Sequence, residues 1–195
     1  MQTSGPLIAA ILWRRLDTPG HDACRLEGDE TGWRLDGAAV FQHEGAPARL
    51  AYRVACDGMW RTRDGHVRGW VGRREMDVRI VRAADGAWSI NGRVVQGLEP
   101  CVDLDLGFTP ATNLLSIRRL ALTDGQAAAV PVAWLDVMAD TLEVLPQRYE
   151  RRTPTTYWYE SPTAGYTALL ETTPAGFVSR YPDLWETDAY SASSS

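Results

Sequence analysis

Two aspartates and two arginines lie close together in the stretch CVDLDLGFTPATNLLSIRRL, which covers residues 101–120. Asp103 and Asp105 alternate, so on an extended strand both carboxylates project from one face, with Cα atoms roughly 6.6 Å apart. Arg118 and Arg119 supply planar donor groups that bind phosphate or carboxylate through two hydrogen bonds. These residue types predict a polar pocket in which the arginines bind anionic or hydroxyl groups and the aspartates accept hydrogen bonds from sugar hydroxyls.

The same residues allow two other hypotheses. Asp103 and Asp105 are a carboxylate pair of the kind that acts as acid and base, so the chain could be a hydrolase of a glycoside or an ester. Alternatively, an aspartate and an arginine form a cross-strand salt bridge that fixes register, while Thr109 and Asn113 structure the turn. The chain would then be a structural or interaction module without a small ligand. A binding protein is favoured over an enzyme, and no catalytic residue is assigned.

The position of these groups depends on the local structure, which we predict to be two strands joined by a turn. Residues 101–106 alternate polar and apolar side chains, which is typical of a strand. The sequence TPATN at 109–113 favours a turn, because hydroxyl and amide side chains bond the nearby backbone. Residues 116–122 alternate again and predict a second strand, with at least one arginine on the side of the carboxylates.

Aromatic residues are a second group that could bind a ligand. The chain has eight Trp and seven Tyr but only three Phe, which favours rings that carry a polar atom and suit half-buried pockets. Rings beside hydroxyl acceptors could hold a sugar or an acyl chain; the alternative is core packing with a cross-strand aromatic pair. The complete candidate set comprises Asp103, Asp105, Thr109, Asn113, Arg118, Arg119, Trp134, Tyr157 and Tyr159.

Short alternating segments and frequent turn signals predict an all-β fold. In residues 49–56, Leu50, Tyr52 and Val54 share one face, which is the period of a strand. Turn dipeptides recur along the chain at Asp36-Gly37, Asp57-Gly58, Asp64-Gly65, Asp85-Gly86, Asn91-Gly92 and Asp124-Gly125. We therefore expect one large antiparallel, many-stranded barrel or roll.

The predicted domain spans residues 1–190, and the serine-rich residues 191–195 are expected to be a disordered tail. Residues 48–67 and 155–178 each read as an aromatic strand, a hairpin partner and a glycine before a third strand. This echo is compatible with a sheet built from two related halves, although the sequences are too dissimilar to establish a duplication.

Composition limits the partners and the compartment. The net charge is −5, from 25 acidic and 20 basic residues, and every basic residue is arginine, so the balance gives no support to nucleic-acid binding. Cys24, Cys56 and Cys101 form no CxxC pair, and reduced thiols are the simplest interpretation. The apolar run at 7–13 is too short to span a membrane. We expect a cytoplasmic protein without an integral membrane segment, and its oligomeric state is left open.

Common metal and cofactor motifs are missing from the sequence. His21, His43 and His66 have no recognised ligand spacing, and solvent-exposed loop positions account for them. No GxGxxG, P-loop or GxSxG pattern occurs. No metal and no cofactor is therefore predicted.

The signature Cys101-x-Asp103-x-Asp105-Leu106-x-Phe108-Thr109-Pro110-Ala111-Thr112-Asn113, followed by Ile117-Arg118-Arg119-Leu120, resembles that of the putative glycolipid-binding family of bacterial proteins. Further landmarks are Trp13-Arg14-Arg15, Pro19-Gly20, Cys24-Arg25-Leu26, Trp60-x-Thr62-Arg63, Ala133-Trp134, Gln147-x-Tyr149-x-Arg151 and Tyr181-Pro182.

The resemblance covers roughly residues 10–188. It implies a many-stranded barrel or roll similar to the lipoprotein-carrier fold, with an apolar cavity. The expected occupant of this cavity is an amphipathic ligand such as a glycolipid. Where the family pattern reads Leu-Pro-Ile-Arg-Arg-Leu, this chain has Ser116 in place of the proline. Its added backbone N–H is expected to alter pairing along that strand.

Overall fold

Fifteen strands form one continuous sheet in the computed structural model, which describes residues 5–193. The strands are β1 (Leu7–Arg15), β2 (Gly20–Asp29), β3 (Gly32–His43), β4 (Ala46–Cys56), β5 (Thr62–Val71), β6 (Arg74–Arg82), β7 (Trp88–Ile90), β8 (Arg93–Val95), β9 (Asp103–Leu106), β10 (Ala127–Leu135), β11 (Glu143–Thr153), β12 (Thr156–Ser161), β13 (Tyr166–Thr172), β14 (Val178–Tyr181) and β15 (Trp185–Ala192). A helix, α1 (Asn113–Leu120), and a short 3-10 helix (Pro162–Ala164) complete the fold.

The sheet follows the chain as a meander and curls into a barrel-like roll. Strands β1 and β15 pair in the middle of the sheet, and the order runs from β8 at one edge to β9 at the other. The β9 edge returns to the start of β5, where the Thr62 N–H donates to the Val102 carbonyl (3.3 Å) and the Leu104 N–H donates to Thr62 Oγ1 (3.0 Å). These contacts bring the β9 edge against β5, but the two strands form no ladder and the sheet stays open. The predicted all-β roll is confirmed.

The period-two pattern of residues 49–56 corresponds to β4. Leu50, Tyr52, Val54 and Cys56 are buried, while Arg49 on the opposite face is exposed. Because successive side chains of a strand point to opposite faces, β4 contributes one apolar row to the interior of the roll.

Two of the predicted turns are wrong. Asp36-Gly37 lies inside β3 and Asp64-Gly65 lies inside β5. The Tyr52 ring lies against Gly37, and the Leu104 side chain lies against Gly65, where in each case a Cβ would collide with it. These glycines make room for a large neighbour, whereas the other four predicted dipeptides do lie in turns.

The predicted second strand, residues 116–122, is also wrong, because α1 covers residues 113–120. The parallel pairing of β9 with β10 explains the helix, since parallel neighbours need a crossover connection and α1 supplies it. The helix ends at Ala121, which takes a left-handed conformation and donates its N–H to the Ile117 carbonyl (3.3 Å). Ser116 is therefore helical, and its expected effect on strand pairing does not arise.

The C-terminal end differs from the predicted tail. Ser191 and Ala192 belong to β15 and pair with Ala10 and Ala9 of β1, so the ordered strand extends beyond residue 190. Residues 194 and 195 lie outside the described part of the chain. No helix within residues 5–193 is long and apolar enough to cross a membrane.

The interior contains two groups of packed side chains. The larger group comes mainly from β1–β7, with further residues from the segment 98–115 and from Phe177 before β14; Trp13, Trp88 and Phe177 are fully buried. The smaller group belongs to β10–β14 and is rich in tyrosine, with Tyr149 and Tyr159 at its centre. The idea of two related halves stays a prediction. Residues 103–119 contribute to both groups and carry the polar candidate residues, whereas the aromatic candidates belong to the smaller group.

Candidate functional site

The signature segment runs lengthwise through the interior of the roll. All ten residues from 108 to 117 are buried, and their sequence is FTPATNLLSI. At one end Phe108 stacks on Phe41 of β3 (ring centroids 6.1 Å apart), and at the other end the Arg118 guanidinium lies 5.5 Å from the centre of the Trp60 ring. Trp60 in turn stacks on Trp33 of β3.

Trp33 and Phe41 mark opposite ends of β3. They are eight residues apart on the inward face, which corresponds to about 26 Å at the rise of a strand. We call residues 108–117 the internal segment, and we name the two ends of the roll the Phe41 end and the Trp60 end. The internal segment fills the space in which an apolar cavity was expected.

At the Phe41 end, the internal segment is fastened to a buried carboxylate. The Thr109 hydroxyl donates to Asp22 Oδ2, and the Tyr52 hydroxyl donates to the same oxygen over 2.9 Å. Phe108 contacts the Tyr52 ring edge-on, with centroids 5.8 Å apart. The Thr109 side chain therefore joins the segment to both β2 and β4.

Asp22 is a buried carboxylate that was not among the residues predicted from the sequence. It is fully buried, and its Oδ1 atom has no hydrogen-bond partner within the described chain. Burial raises the pKa of Asp22 to about 6, although the hydrogen bonds from Thr109 and Tyr52 oppose the rise. The available signal was its position on β2, where period two places Asp22 on the same inward face as Cys24 and Leu26.

Asp105 belongs to a second polar network in the middle of the segment. The Thr112 hydroxyl donates to Asp105 Oδ1 (2.9 Å), and the Gln147 amide donates to Oδ2 (2.6 Å). The Asn113 amide donates to the Tyr149 hydroxyl (2.8 Å), which itself donates to Gln147 Oε1 (3.2 Å). Desolvation raises the pKa of Asp105, while the Thr112 and Gln147 hydrogen bonds lower it.

Asp103 forms the strongest contact between β9 and α1. The Arg119 guanidinium donates two hydrogen bonds to its carboxylate, each 2.8 Å long, and the Ser116 hydroxyl donates a third of 2.7 Å. Ser116 and Arg119 are three residues apart in the helix and so share the face that contacts β9. Asp103 is fully buried, which makes this a buried, bidentate ion pair.

The structure thus brings together five of the predicted residues in or beside the internal segment. These are Asp103, Asp105, Thr109, Asn113 and Arg119. The carboxylates face α1 and β11, which is a packed layer, and their hydrogen bonds join the segment to the wall of the roll. The proposed salt bridge exists, but it joins a strand to a helix instead of two strands.

Arg118 points away from this network, to the Trp60 end. Its side chain is exposed, and it makes no hydrogen bond or ion pair with any residue from 5 to 193. One face of the guanidinium lies on Trp60, and its methylene groups lie against Gly176, where a Cβ would be 3.2 Å from Arg118 Cδ. The two adjacent arginines therefore have different roles.

The turn between β4 and β5 holds Trp60 in place. The Asp57 carboxylate accepts the N–H groups of Met59 and Arg61, each at 2.9 Å, and the Asp57 carbonyl accepts the Trp60 N–H at 3.0 Å. Trp60 has a φ of 65°, which is uncommon for a bulky residue. Its ring stacks on Trp33 with centroids 4.5 Å apart and an interplanar angle of 7°.

A cleft of about 350 Å³ opens beside Trp33 at this end. Arg34, Arg53 and Arg63 line it together with Asp64, whose pKa is raised by burial against the pull of Arg63 and Arg53. Arg34 is paired with Glu27, and Arg53 with Asp36. Arg63 makes only a long bond of 3.5 Å to the Thr31 carbonyl, so this cation remains available.

The three aromatic candidates lie in the smaller core. The Trp134 indole packs against Gly107, and Tyr159 contacts Tyr149, with ring centroids 4.9 Å apart. Tyr157 is buried, and desolvation raises its pKa while the charges of Arg151 and Arg118 lower it. Of the three aromatic candidates, Tyr157 is the one whose pKa responds to Arg118, the residue that lies on Trp60. Among the described residues, no group of three or more His, Cys, Asp or Glu could hold a metal ion.

A family model described as putative glycolipid-binding matches residues 10–187. The chain belongs to this family. Among solved structures it is similar to a DUF1089 family protein from Pseudomonas aeruginosa, with 27% identity and a TM-score of 0.78 over 86% of this chain and 91% of that one. No curated protein matches the chain.

A second structural neighbour supports the architecture of this glycolipid-binding family member. It is a beta-barrel-like protein of the DUF1849 domain of unknown function from Brucella abortus, with 9% identity and a TM-score of 0.54 over 98% of this chain and all of that one. At this identity the likeness concerns the fold alone. In this chain the polar residues Asp103, Asp105, Thr109, Asn113 and Arg119 form hydrogen bonds inside the roll.

Proposed function

We propose that this protein binds a glycolipid through its headgroup at the Trp60 end of the roll. The observation that carries the proposal is the Arg118 guanidinium, which lies on the Trp60 ring at an exposed end of the interior without a carboxylate partner in the described chain. Aromatic rings beside polar donors suit sugar headgroups, because one face is apolar and the rim can hydrogen-bond. The family match supports a glycolipid as the ligand.

The internal segment limits where the acyl chain can go. Residues 108–117 are all buried and fill the space along the roll. We therefore place the apolar tail outside the roll, in the membrane or micelle from which the headgroup projects. Met59, beside Trp60, is 63% exposed and offers an apolar contact there.

The hydrolase hypothesis receives no support from the geometry. Both oxygens of Asp103 accept hydrogen bonds from Arg119 or Ser116, and both oxygens of Asp105 accept them from Thr112 or Gln147. An acid and base pair needs an open approach for water and substrate between the carboxylates. The two aspartates instead face a packed layer.

One observation favours a second candidate, a structural or interaction module without a small ligand. All ten residues of the internal segment are buried, and the cleft of about 350 Å³ beside Trp33 lies at the surface. Under this hypothesis the polar signature serves only to fasten the internal segment. Direct measurement of glycolipid binding separates the two candidates.

The test uses the full chain and phosphatidylcholine vesicles with and without galactosylceramide. Co-sedimentation should show binding that depends on the glycolipid, and Trp60→Ala should abolish most of it. The matched control is Trp70→Ala, a half-buried tryptophan on β5 that lies away from this end. Equal sedimentation with and without the glycolipid would favour the second candidate, and equal losses in both variants would refute the location.

A further inference from the structure

We infer that the Trp60 end prefers glycolipids whose headgroup carries an anionic group, a sulfate, phosphate or carboxylate, and that Arg118 binds it. This inference rests on the proposed function, because it assigns a ligand class to the same site. It goes beyond that function in predicting discrimination between a charged and a neutral headgroup.

The first argument is the geometry of Arg118. Stacking on Trp60 uses a face of the planar guanidinium, so the N–H groups around its edge remain free to donate. Arg119, the next residue, uses its donors on Asp103. Because successive residues of a helix point about 100° apart, the Arg118 side chain leaves the network and presents its charge at the end of the roll.

The second argument is a neutral donor on the same side. Tyr157 belongs to the smaller core, where desolvation raises its pKa, and the nearby charges of Arg151 and Arg118 oppose that rise. The Tyr157 hydroxyl makes no hydrogen bond with the described residues. An anion on Arg118 would therefore have a phenol group as a second neighbour that can donate.

The third argument is the distribution of charge on the Trp60 turn. Arg61 is exposed and its guanidinium has no partner in the described chain, and Arg63 has only the long contact with a carbonyl. The Asp57 carboxylate accepts two backbone N–H groups and faces its own turn. In a chain of net charge −5, this end thus holds Arg61, Arg63 and Arg118, which form no ion pair within residues 5–193, although Asp64 lies near Arg63.

Planar arginine matches the oxygen geometry of sulfate, phosphate and carboxylate through two parallel hydrogen bonds. A neutral hydroxyl offers a single weaker acceptor, so the same site should discriminate between the two headgroups. Charge-assisted hydrogen bonds are strong enough to give about a tenfold difference in affinity.

The test compares two lipids that differ by one sulfate. Phosphatidylcholine vesicles carry either galactosylceramide or 3-sulfogalactosylceramide, and a third set carries phosphatidylglycerol as an anionic lipid without sugar. The wild-type chain should bind the sulfated glycolipid about tenfold more tightly than the neutral one. Arg118→Gln should reduce this ratio to about one, and Arg118→Lys should restore only part of it because lysine lacks the planar donor pair.

Arg73→Gln is the matched control, since Arg73 is exposed in the turn between β5 and β6 and has no partner in the described chain. It should leave the ratio unchanged, and circular dichroism and Tm confirm that each variant is folded. Equal binding of both glycolipids overturns the inference while leaving the proposed function intact, whereas binding of neither overturns the proposed function. The inference is also overturned if phosphatidylglycerol vesicles bind as tightly as those with the sulfated glycolipid. It is likewise overturned if Arg118→Gln keeps the wild-type ratio of sulfated to neutral glycolipid affinity.

Discussion

The two ends of the roll each hold an arginine against aromatic rings, but only one of these arginines is neutralised. At the Phe41 end, Arg15 lies between Phe41 and Trp185, 5.5 and 5.4 Å from their centres, and donates two hydrogen bonds to Asp17 at 2.6 and 2.9 Å. At the Trp60 end, Arg118 lies on a single ring and has no carboxylate partner in the described residues. The same pair of residue types therefore closes one end and leaves a free charge at the other.

The difference separates packing from recognition. The Arg15 guanidinium contacts two rings and Asp17, and its side chain is only 18% exposed. Little of it remains to contact a ligand, and its contacts stabilise the end of β1 against β3 and β15. Arg118 keeps one face and its donor edge available, which is the state expected of a binding residue. Between the two ends, the internal segment is held by buried carboxylates.

The largest expected effect comes from the arginine next to Arg118. Arg119→Ala leaves the Asp103 carboxylate buried without its bidentate partner, and such a loss costs about 3–5 kcal/mol. Arg118→Ala removes only an exposed side chain on Trp60 and should cost less than about 1 kcal/mol. Urea denaturation at neutral pH measures both changes. Equal costs for the adjacent arginines would contradict the assignment of one to the structure and the other to the ligand.

The next effect concerns Asp22 and the Phe41 end. Its pKa is about 6 in the folded protein against an ordinary value of 3.8, so between these values the folded chain keeps a proton that the unfolded chain has lost. Asp22 therefore lowers the free energy of unfolding progressively as pH rises from about 4 to about 6, by up to about 3 kcal/mol. Asp22→Asn stays neutral at every pH and should remove this loss.

The measurement is the difference in unfolding free energy between Asp22→Asn and the wild type at several pH values. Taking the difference cancels other titrating groups, and it should grow in favour of the variant from pH 4 to pH 6 and then level off. Asp17→Asn is a control of opposite sign: desolvation raises the pKa of Asp17, but the hydrogen bonds and charge of Arg15 lower it overall, so the wild type should gain stability over this variant as pH rises toward 4. A difference that stays constant with pH would show that Asp22 does not titrate in this window.

Sequence patterns located the strands better than the segment between them. Alternation identified β4 correctly, because a row of Leu50, Tyr52 and Val54 needs no knowledge of partners. It failed in residues 116–122, where an eight-residue helix buried on most sides shows too little polar periodicity to be told from a strand. The parallel pairing that requires this helix depends on tertiary contacts.

The site was predictable in its residue types but not in its partners. Asp103, Asp105 and Arg119 were recognised as a group, since they are close in sequence. Asp22 was missed because its partners Tyr52 and Thr109 lie in distant parts of the chain. Asp36-Gly37 and Asp64-Gly65 were wrongly predicted as turns for the same reason, because Tyr52 and Leu104, the side chains packed on these glycines, are distant in sequence.

A more modest effect distinguishes the two end arginines directly. Arg15→Gln loses the hydrogen bonds to Asp17 and part of the packing between two rings, and should cost about 1–2 kcal/mol. Arg118→Gln should cost less than about 0.5 kcal/mol, because an exposed side chain without a partner contributes little. Thermal unfolding compares the two variants at the same ionic strength. Glycolipid binding should show the reverse order, with Arg15→Gln close to wild type.

The smallest change tests whether the Trp60 turn is built for binding. Asp57→Ala removes the acceptor for the Met59 and Arg61 N–H groups on an exposed turn, and should cost about 1 kcal/mol. Asp85→Ala is a matched control, since Asp85 accepts the Ala87 N–H at 3.0 Å in the turn between β6 and β7. Both variants should lose similar stability in urea, because each removes an aspartate that orders its own turn.

Only Asp57→Ala should weaken glycolipid binding, since a loosened turn lets Trp60 leave its left-handed conformation and removes the support under Arg118. Equal binding by both variants would show that the Trp60 turn serves the fold alone.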